Sequence, residues 1–223
     1  ANNKSVRANR MFVRHLLSPF FPELVFRIPT HEKEIFFTFD DGPSENITLS
    51  VLDELKKVTA RATFFCIGEK VKEHPGIFSE IIRQGHSIGN HTMHHLNGWK
   101  TKTKNYLDDI EECHSALTSS FLQTSNFKLQ TNFFRPPYGR ITPSQYSSLK
   151  KNHRIVMWDV LSKDYDKNIS SEKCLQHVIT RSKPGSIVVF HDSVKGEKNL
   201  RYVLPRALEY FGEMGVSFRS LNS

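Results

Sequence analysis

From residue 34 onward the chain alternates two hydrophobic patterns. Short runs rich in aromatic and β-branched residues are separated by longer stretches whose apolar positions recur every three to four residues. The short runs predict strands over 34–39 (EIFFTF), 62–67 (ATFFCI), 86–91 (HSIGNH), 131–135 (TNFFR), 154–160 (RIVMWDV), 186–191 (SIVVFH) and 216–220 (VSFRS). The longer stretches predict helices near 47–58, 76–84, 106–122, 143–151, 171–181 and 200–211. In the first helix Leu49, Leu52 and Leu55 share a face, with Asn46 at the N-cap position, and Gly85 is placed to end the second helix as a C′ glycine. Residues 119–133, rich in Ser, Thr, Gln and Asn, read as a surface loop. Strands alternating with helices predict a parallel sheet under helical cover, either a closed (β/α) barrel or an open doubly wound sheet. No glycine-rich phosphate loop follows any strand, so nothing points to a nucleotide crevice.

Length, composition and charge narrow the picture. A chain of 223 residues supports one sizeable core, and seventeen Phe residues supply a largely aromatic one. The formal charge of +8 does not indicate nucleic-acid binding. Half of it sits in residues 1–14 (Lys4, Arg7, Arg10, Arg14), and the rest forms no basic block interleaved with aromatics. Cys66, Cys113 and Cys174 form no close pair, which reads as free thiols rather than a disulfide framework or a cysteine zinc site. The apolar stretch 11–26 is interrupted by Arg14, His15, Pro19, Pro22 and Glu23, so it reads neither as a transmembrane span nor as a secretory signal. Free thiols and the lack of a clear signal favour a cytoplasmic setting, whereas a cell-wall substrate requires the cell envelope.

The polar residues that could carry chemistry cluster at the predicted strand ends, where parallel α/β barrels place their active sites. Asp40 and Asp41 end the first strand, and His91, His94 and His95 follow the third. Arg135 and Tyr138 follow the fourth, Asp159, Asp164 and Tyr165 the fifth, and His191 and Asp192 the sixth. His91 and His95, four apart, would share one face of a helical turn, and Asp41 would complete a two-histidine, one-carboxylate metal site with open positions. Asp40 is then free to act as a base, with Arg135 as its charge partner, while Gly42 and Pro43 turn the chain so that neither carboxylate is covered. His94 reads as an outer or surface histidine, and His191 as a general acid tuned by Asp164.

These residues resemble the polysaccharide deacetylase (NodB-homology) family of carbohydrate esterases over about residues 33–220. TFDDGP (38–43) looks like its first motif, HTMHH (91–95) its second, RPPYG (135–139) its third, SKDYD (162–166) part of its fourth and VFH (189–191) its last. The resemblance implies a distorted, TIM-like (β/α) barrel of about seven parallel strands as the catalytic domain, residues 33–223, behind an N-terminal extension, residues 1–32. It implies Asp41, His91 and His95 as metal ligands, Asp40 as catalytic base supported by Arg135, and His191 as acid beside Asp164. It also implies an oxyanion contact from the Tyr138 N–H, with Pro137, Tyr165 and Trp158 lining the substrate. The cofactor implied is a divalent cation, Zn²⁺ with Co²⁺ or Ni²⁺ as alternatives. The expected substrate is a carbohydrate bearing N-acetyl groups, such as an N-acetylglucosamine glycan. O-acetylated xylan or a small amide or imide are the alternatives. Two positions depart from the pattern: Leu161 stands where the family usually has Asp, and Val189 where it has Leu. Ligands, base and acid are all retained, which argues against a non-catalytic carbohydrate-binding relative.

Overall fold

The computed structural model describes residues 21–124 and 132–222, so the basic leading segment and residues 125–131 of the predicted 119–133 loop lie outside the described residues, while 119–124 continue a helix and Phe133 opens a strand where the sequence predicted loop. Eight strands run β1 (Glu34–Asp40), β2 (Thr63–Cys66), β3 (Ser87–Asn90), β4 (Phe133–Phe134), β5 (Arg154–Ile155), β6 (Val160–Leu161), β7 (Ile187–His191) and β8 (Ser217–Phe218). Seven helices lie between them: α1 (Ile47–Lys57), α2 (Gly68–Glu73), α3 (Pro75–Arg83), α4 (Thr103–Thr124), α5 (Pro143–Leu149), α6 (Ser171–Arg181) and α7 (Glu197–Glu213). The strand order is β5-β4-β3-β2-β1-β7-β6, with β8 beside β1, and every pairing is parallel. No helix among the described residues is long and apolar enough to cross a membrane.

The connectivity forces this sheet to curl. β5 and β6 lie at opposite ends of the strand order, yet only residues 156–159 join them. Fully extended, that link reaches at most about 17 Å, whereas seven flat strands would separate the edges by about 29 Å. The curled half-barrel brings the edges together, and residues 25–28 occupy the seam. The Val25 N–H donates to the Ile155 carbonyl, the Met157 N–H donates to the Val25 carbonyl, and the Ile28 N–H donates to the Gly185 carbonyl. Run 154–160 is therefore two short strands on opposite edges, not the one strand its unbroken apolar pattern predicts.

The period-two alternation of each strand divides the core in two. On β1, Ile35, Phe37 and Phe39 face the helices and pack with Phe64, Phe190 and the apolar faces of α1, α3 and α7. Phe36 points into the barrel with Phe65, Phe133, Val156 and Ile187. Each fully buried Phe contributes about 1.5–3 kcal/mol of apolar transfer, so the aromatic strands anchor both layers. At the end of α3, the Gly85 N–H bonds to the Ile82 carbonyl and the His86 N–H to the Ile81 carbonyl. This Schellman closure uses the left-handed φ of +79° at Gly85, as the sequence predicted. Asn46 stands at the N-cap of α1 but makes no side-chain cap there; the Thr48 hydroxyl accepts from the Ser44 N–H instead.

Candidate functional site

The inward column of β1 rises from Phe36 through Thr38 to Asp40 and ends at the barrel mouth. Asp40 is only 4% exposed, contrary to the expectation that the turn would leave it uncovered. It is balanced by Arg135, which is fully buried and placed just after β4. Arg135 Nη1 lies 2.6 Å from Asp40 Oδ1 and donates to Thr38 Oγ1 at 2.8 Å. Its Nε and Nη2 donate to the carbonyls of Val156 and Met157, and the guanidinium lies 4.0 Å over the Phe65 ring. Every edge of the fork is held, so the Asp40 carboxylate has one orientation.

Asp41, His91 and His95 come together as the sequence suggested, with one ligand atom from each lying within 4.8 Å of the others. His95 Nε2 is 3.2 Å and His91 Nε2 3.6 Å from Asp41 Oδ1. They meet differently than expected, however. Residues 91–97 form a loop rather than a helical turn, shaped by positive φ at Thr92 (65°) and His95 (55°). His91 Nδ1 contacts the Arg135 carbonyl at 2.8 Å, which sets the tautomer that presents Nε2 to the site. Burial pushes the His91 pKa down to about 4, so the imidazole is neutral, as a ligand must be. Burial would raise the Asp41 pKa, but the His95 hydrogen bond and nearby imidazoles outweigh it and hold Asp41 well below the usual carboxylate range. Two imidazoles and one carboxylate, with other directions open, fit a divalent cation of the zinc type.

His191 ends β7 and stands in register with Asp40 on the neighbouring strand. Its Nδ1 is 2.8 Å from Asp164 Oδ1, and its backbone N–H donates to Asp164 Oδ2 at 2.7 Å. Burial alone would lower the His191 pKa, but Asp164 raises it to about 9. Asp164 is in turn fixed: its carbonyl accepts from Asn199 Nδ2, and its N–H donates to Ser162 Oγ. Asp192, noted in the sequence without a role, is fully buried beneath the turn after β1. It accepts from the Gly42 N–H at 3.0 Å and from the Thr48 hydroxyl at 2.5 Å, and burial pushes its pKa up to about 7. A Cβ at Gly42 would overlap this carboxylate, so only glycine fits there.

The remaining predicted residues divide. Tyr138 is 59% exposed, has a φ of 60°, and sets its ring 4.6 Å from that of His95. Tyr165 packs edge-on against His191. Pro137 is buried in its turn, and Trp158 is half-buried in the interior cluster, 5.8 Å from the Arg135 guanidinium. His94 leaves the cluster and pairs with Asp109 at 2.6 Å, where that contact raises its pKa. Asp159 does not join the mouth. It binds Arg27, Ser186 and the Ile187 N–H at the start of β7, the opposite rim of the barrel. Thr38, Ser162 and Asn199 were missed by sequence reasoning, although Thr38, two positions before Asp40, shares its face by strand period alone. Of the non-glycine residues with positive φ, all but Thr59 sit in the site motifs: Asp41, Thr92, His95, Tyr138 and Lys163. Such conformations cost about 1–3 kcal/mol each and gather where function over-determines them.

Comparison with known proteins agrees with this geometry. Residues 27–154, more than half of the chain, match the sequence model described as polysaccharide deacetylase. A peptidoglycan-N-acetylglucosamine deacetylase of Bacillus cereus is 34% identical over 77% of this chain, which spans 60% of that relative's length. A second B. cereus protein of the same description is 31% identical, with 87% of this chain and 89% of the relative aligned. The crystal structure of the Bc1960 peptidoglycan N-acetylglucosamine deacetylase superposes with a TM-score of 0.81 at 30% identity, covering 89% of this chain and 91% of that one. With its curled parallel sheet and its motifs in order around one mouth, the chain belongs to the polysaccharide deacetylase family.

Proposed function

We propose that this protein hydrolyses the acetamide of N-acetylglucosamine units in a peptidoglycan-type glycan, releasing acetate and leaving the free amine on the sugar. One observation carries the reading: Asp40 with its guanidinium and His191 with its carboxylate flank the Asp41, His91 and His95 cluster from adjacent positions on β1 and β7. A divalent cation held by those three residues supplies Lewis-acid activation of water and of the acetyl carbonyl.

Asp40 takes a proton from the attacking water. Arg135 keeps its carboxylate aimed, and no other proton donor contacts Asp40 Oδ1 among the described hydrogen bonds. As the C–N bond breaks, His191 delivers its proton to the departing nitrogen, and the Asp164 carboxylate stabilises the imidazolium until then. We assign the Tyr138 N–H as donor to the oxygen that gains charge during attack, a role supported by the left-handed backbone of Tyr138 and by its ring lying beside His95. The water oxygen ends on the acyl carbon and both water protons finish on the nitrogen, giving acetate and the protonated amine; the proton taken by Asp40 replaces the one given by His191, so no other reactant is required. The two B. cereus relatives are described as peptidoglycan-N-acetylglucosamine deacetylases, which supports the choice of glycan.

The test is mass spectrometry of acetate release from a panel of peptidoglycan fragments, chitooligosaccharides, acetylxylan and small acetamides, using protein loaded with Zn²⁺, Co²⁺ or Ni²⁺. Loss of acetyl groups from the N-acetylglucosamine glycans is expected. Release from acetylxylan alone, or from small acetamides alone, would overturn the proposal.

A further inference from the structure

The reaction above leaves a rigid aromatic strip beside the ligand cluster without a task. Trp99 and Tyr138, 65% and 59% exposed, are the most exposed aromatic side chains among the described residues. The Arg140 guanidinium lies between them, 5.1 Å from the Trp99 ring and 5.8 Å from that of Tyr138. Tyr138 in turn touches His95, so the strip runs without a break from the surface to the proposed ligands.

Trp99 is held in place although it faces water. Its indole N–H donates to the Ile141 carbonyl at 3.2 Å, and its backbone N–H donates to Asn97 Oδ1 at 3.1 Å. Its short turn, Gly98–Lys100, is tied down by Gln145, a fully buried side chain whose Nε2 donates to the carbonyls of Gly98 and Thr101. The Gln145 Oε1 accepts from the Thr142 N–H, which fixes the amide's orientation. An indole face kept exposed and immobile by buried hydrogen bonds is preorganised for a flat partner.

The two chain segments that carry the strip lack acidic residues. No Asp or Glu occurs in residues 91–107, which carry Lys100, Lys102 and Lys104, or in residues 132–158, which carry Arg140. Arg140 has no carboxylate within ion-pair distance among the described residues, and its fork stands ready for an anion. The acidic residue nearest the strip is Asp41, which is engaged by His95 and His91.

We infer that Trp99 and Arg140 form a subsite for an acidic sugar next to the unit being deacetylated. The sugar's C–H face stacks on the indole, and its carboxylate pairs with the guanidinium. The subsite rests on the glycan reading above and sharpens it, because it selects carboxylate-bearing chains over neutral ones. Two carboxylate sources share this chemistry, an acidic ether substituent on the sugar itself and a peptide attached to it.

Calorimetric titration tests the inference with three tetrasaccharides: neutral chitotetraose, a muramic-acid-containing peptidoglycan tetrasaccharide with a free lactyl carboxylate, and the same glycan bearing its stem peptide. Trp99→Ala is expected to weaken binding of all three by about tenfold, the scale of a buried aromatic anchor. Arg140→Gln is expected to weaken the free-carboxylate glycan by about five- to tenfold and chitotetraose by less than about twofold. Arg140→Lys should recover part of that loss by charge alone. An Arg140→Gln loss confined to the peptide-bearing glycan would assign the carboxylate to the peptide. Equal weakening of the neutral glycan, or no change in either variant, would overturn the subsite. Acetate release measured in parallel separates the two proposals. Wild-type protein that binds the acidic glycan yet releases no acetate refutes the reaction, and normal release with unaltered affinities in both variants refutes the subsite.

Discussion

Arg135→Met removes the cation hydrogen-bonded to Asp40 inside the barrel, and the structure sets the size of the effect. The side chain is fully buried, its carboxylate partner is 4% exposed, and three further acceptors (Thr38 Oγ1 and the Val156 and Met157 carbonyls) lose their donor. Leaving one member of a buried ion pair unpaired costs about 3–5 kcal/mol. Each orphaned acceptor adds roughly 0.5–1.5 kcal/mol, although the terms overlap because the same cavity rehydrates or relaxes once. A total of about 5 kcal/mol is a large part of the roughly 5–15 kcal/mol that holds a domain together. At about 2–4 °C per kcal/mol for a chain of this size, the melting temperature should fall by about 10–20 °C. Urea denaturation and scanning calorimetry of Arg135→Met, Asp40→Asn and the double variant provide the assay. The double variant should regain at least about half of the loss, since neither charge is then left buried without its partner. A loss below about 1 kcal/mol for Arg135→Met, or a double variant equal to the sum of the singles, would show that the pair is not coupled as described.

His191→Ala should retain the bound cation, measured by plasma mass spectrometry, while losing about 10²–10⁴ in turnover, the usual contribution of a general acid. Because Asp164 raises the His191 pKa to about 9 against the lowering effect of burial, His191 keeps its proton below that value, and turnover should decline as pH rises through about 9. Asp164→Asn should move that decline to lower pH, and an unmoved profile would separate the limb from His191. The same raised value means that the pair's contribution to folding is fully present below about 6.5 and fades as pH passes about 9, which histidine NMR titration and pH-dependent melting can follow. His95→Ala should lower cation affinity by at least the roughly 10–100-fold that loss of a supporting partner costs, and competition with a chelator reads this directly. Gly42→Ala drives a methyl group into the Asp192 carboxylate and should destabilise the fold by about 1–3 kcal/mol, as unfolding midpoints would report.

The site was more legible than the path of the chain through it. Asp40, Asp41, His91, His95, Arg135, Asp164 and His191 converge because a parallel barrel brings its strand ends to one mouth, and strand ends can be recognised from apolar runs that stop at polar residues. The runs could not reveal where a strand breaks. RIVMWDV has no glycine or proline to interrupt it, yet the barrel divides it between two edges, and Asp159 is drawn to the far rim by Arg27 and Ser186. Helix α2 is short and escaped the periodicity test, which needs several turns. The four-residue spacing of His91 and His95 suggests a helical turn, and β-branched Thr92, for which a positive φ is unusual, gives no local sign of the loop that forms instead. Buried polar partners were the hardest to foresee. Thr38 and Gln145 act through contacts distant in sequence, which no local pattern records.

The adjacent carboxylates of TFDDGP show how local backbone geometry resolves an electrostatic conflict. Continued strand geometry would send Asp41 to the helix-facing side, among Phe39, Phe64 and Phe190, where a carboxylate would be desolvated without a partner. A φ of 80° at Asp41 turns it instead toward His91 and His95, while Asp40, still on the strand, stays locked to Arg135. Asp is among the few non-glycine residues that enter this region at modest cost. The chain after it is held by the Gly42 N–H bond to Asp192, so the turn cannot relax without breaking a buried contact. Each carboxylate thus meets its own partners, and the two need not share one proton as an unseparated pair would. Replacing Asp41 by a β-branched residue should disturb this turn as well as remove a ligand, whereas Asn should preserve the turn and remove only the charge. Comparing the unfolding midpoints of Asp41→Val and Asp41→Asn therefore isolates the backbone contribution from the electrostatic one, and equal midpoints would mean that the left-handed turn plays no part in placing the pair.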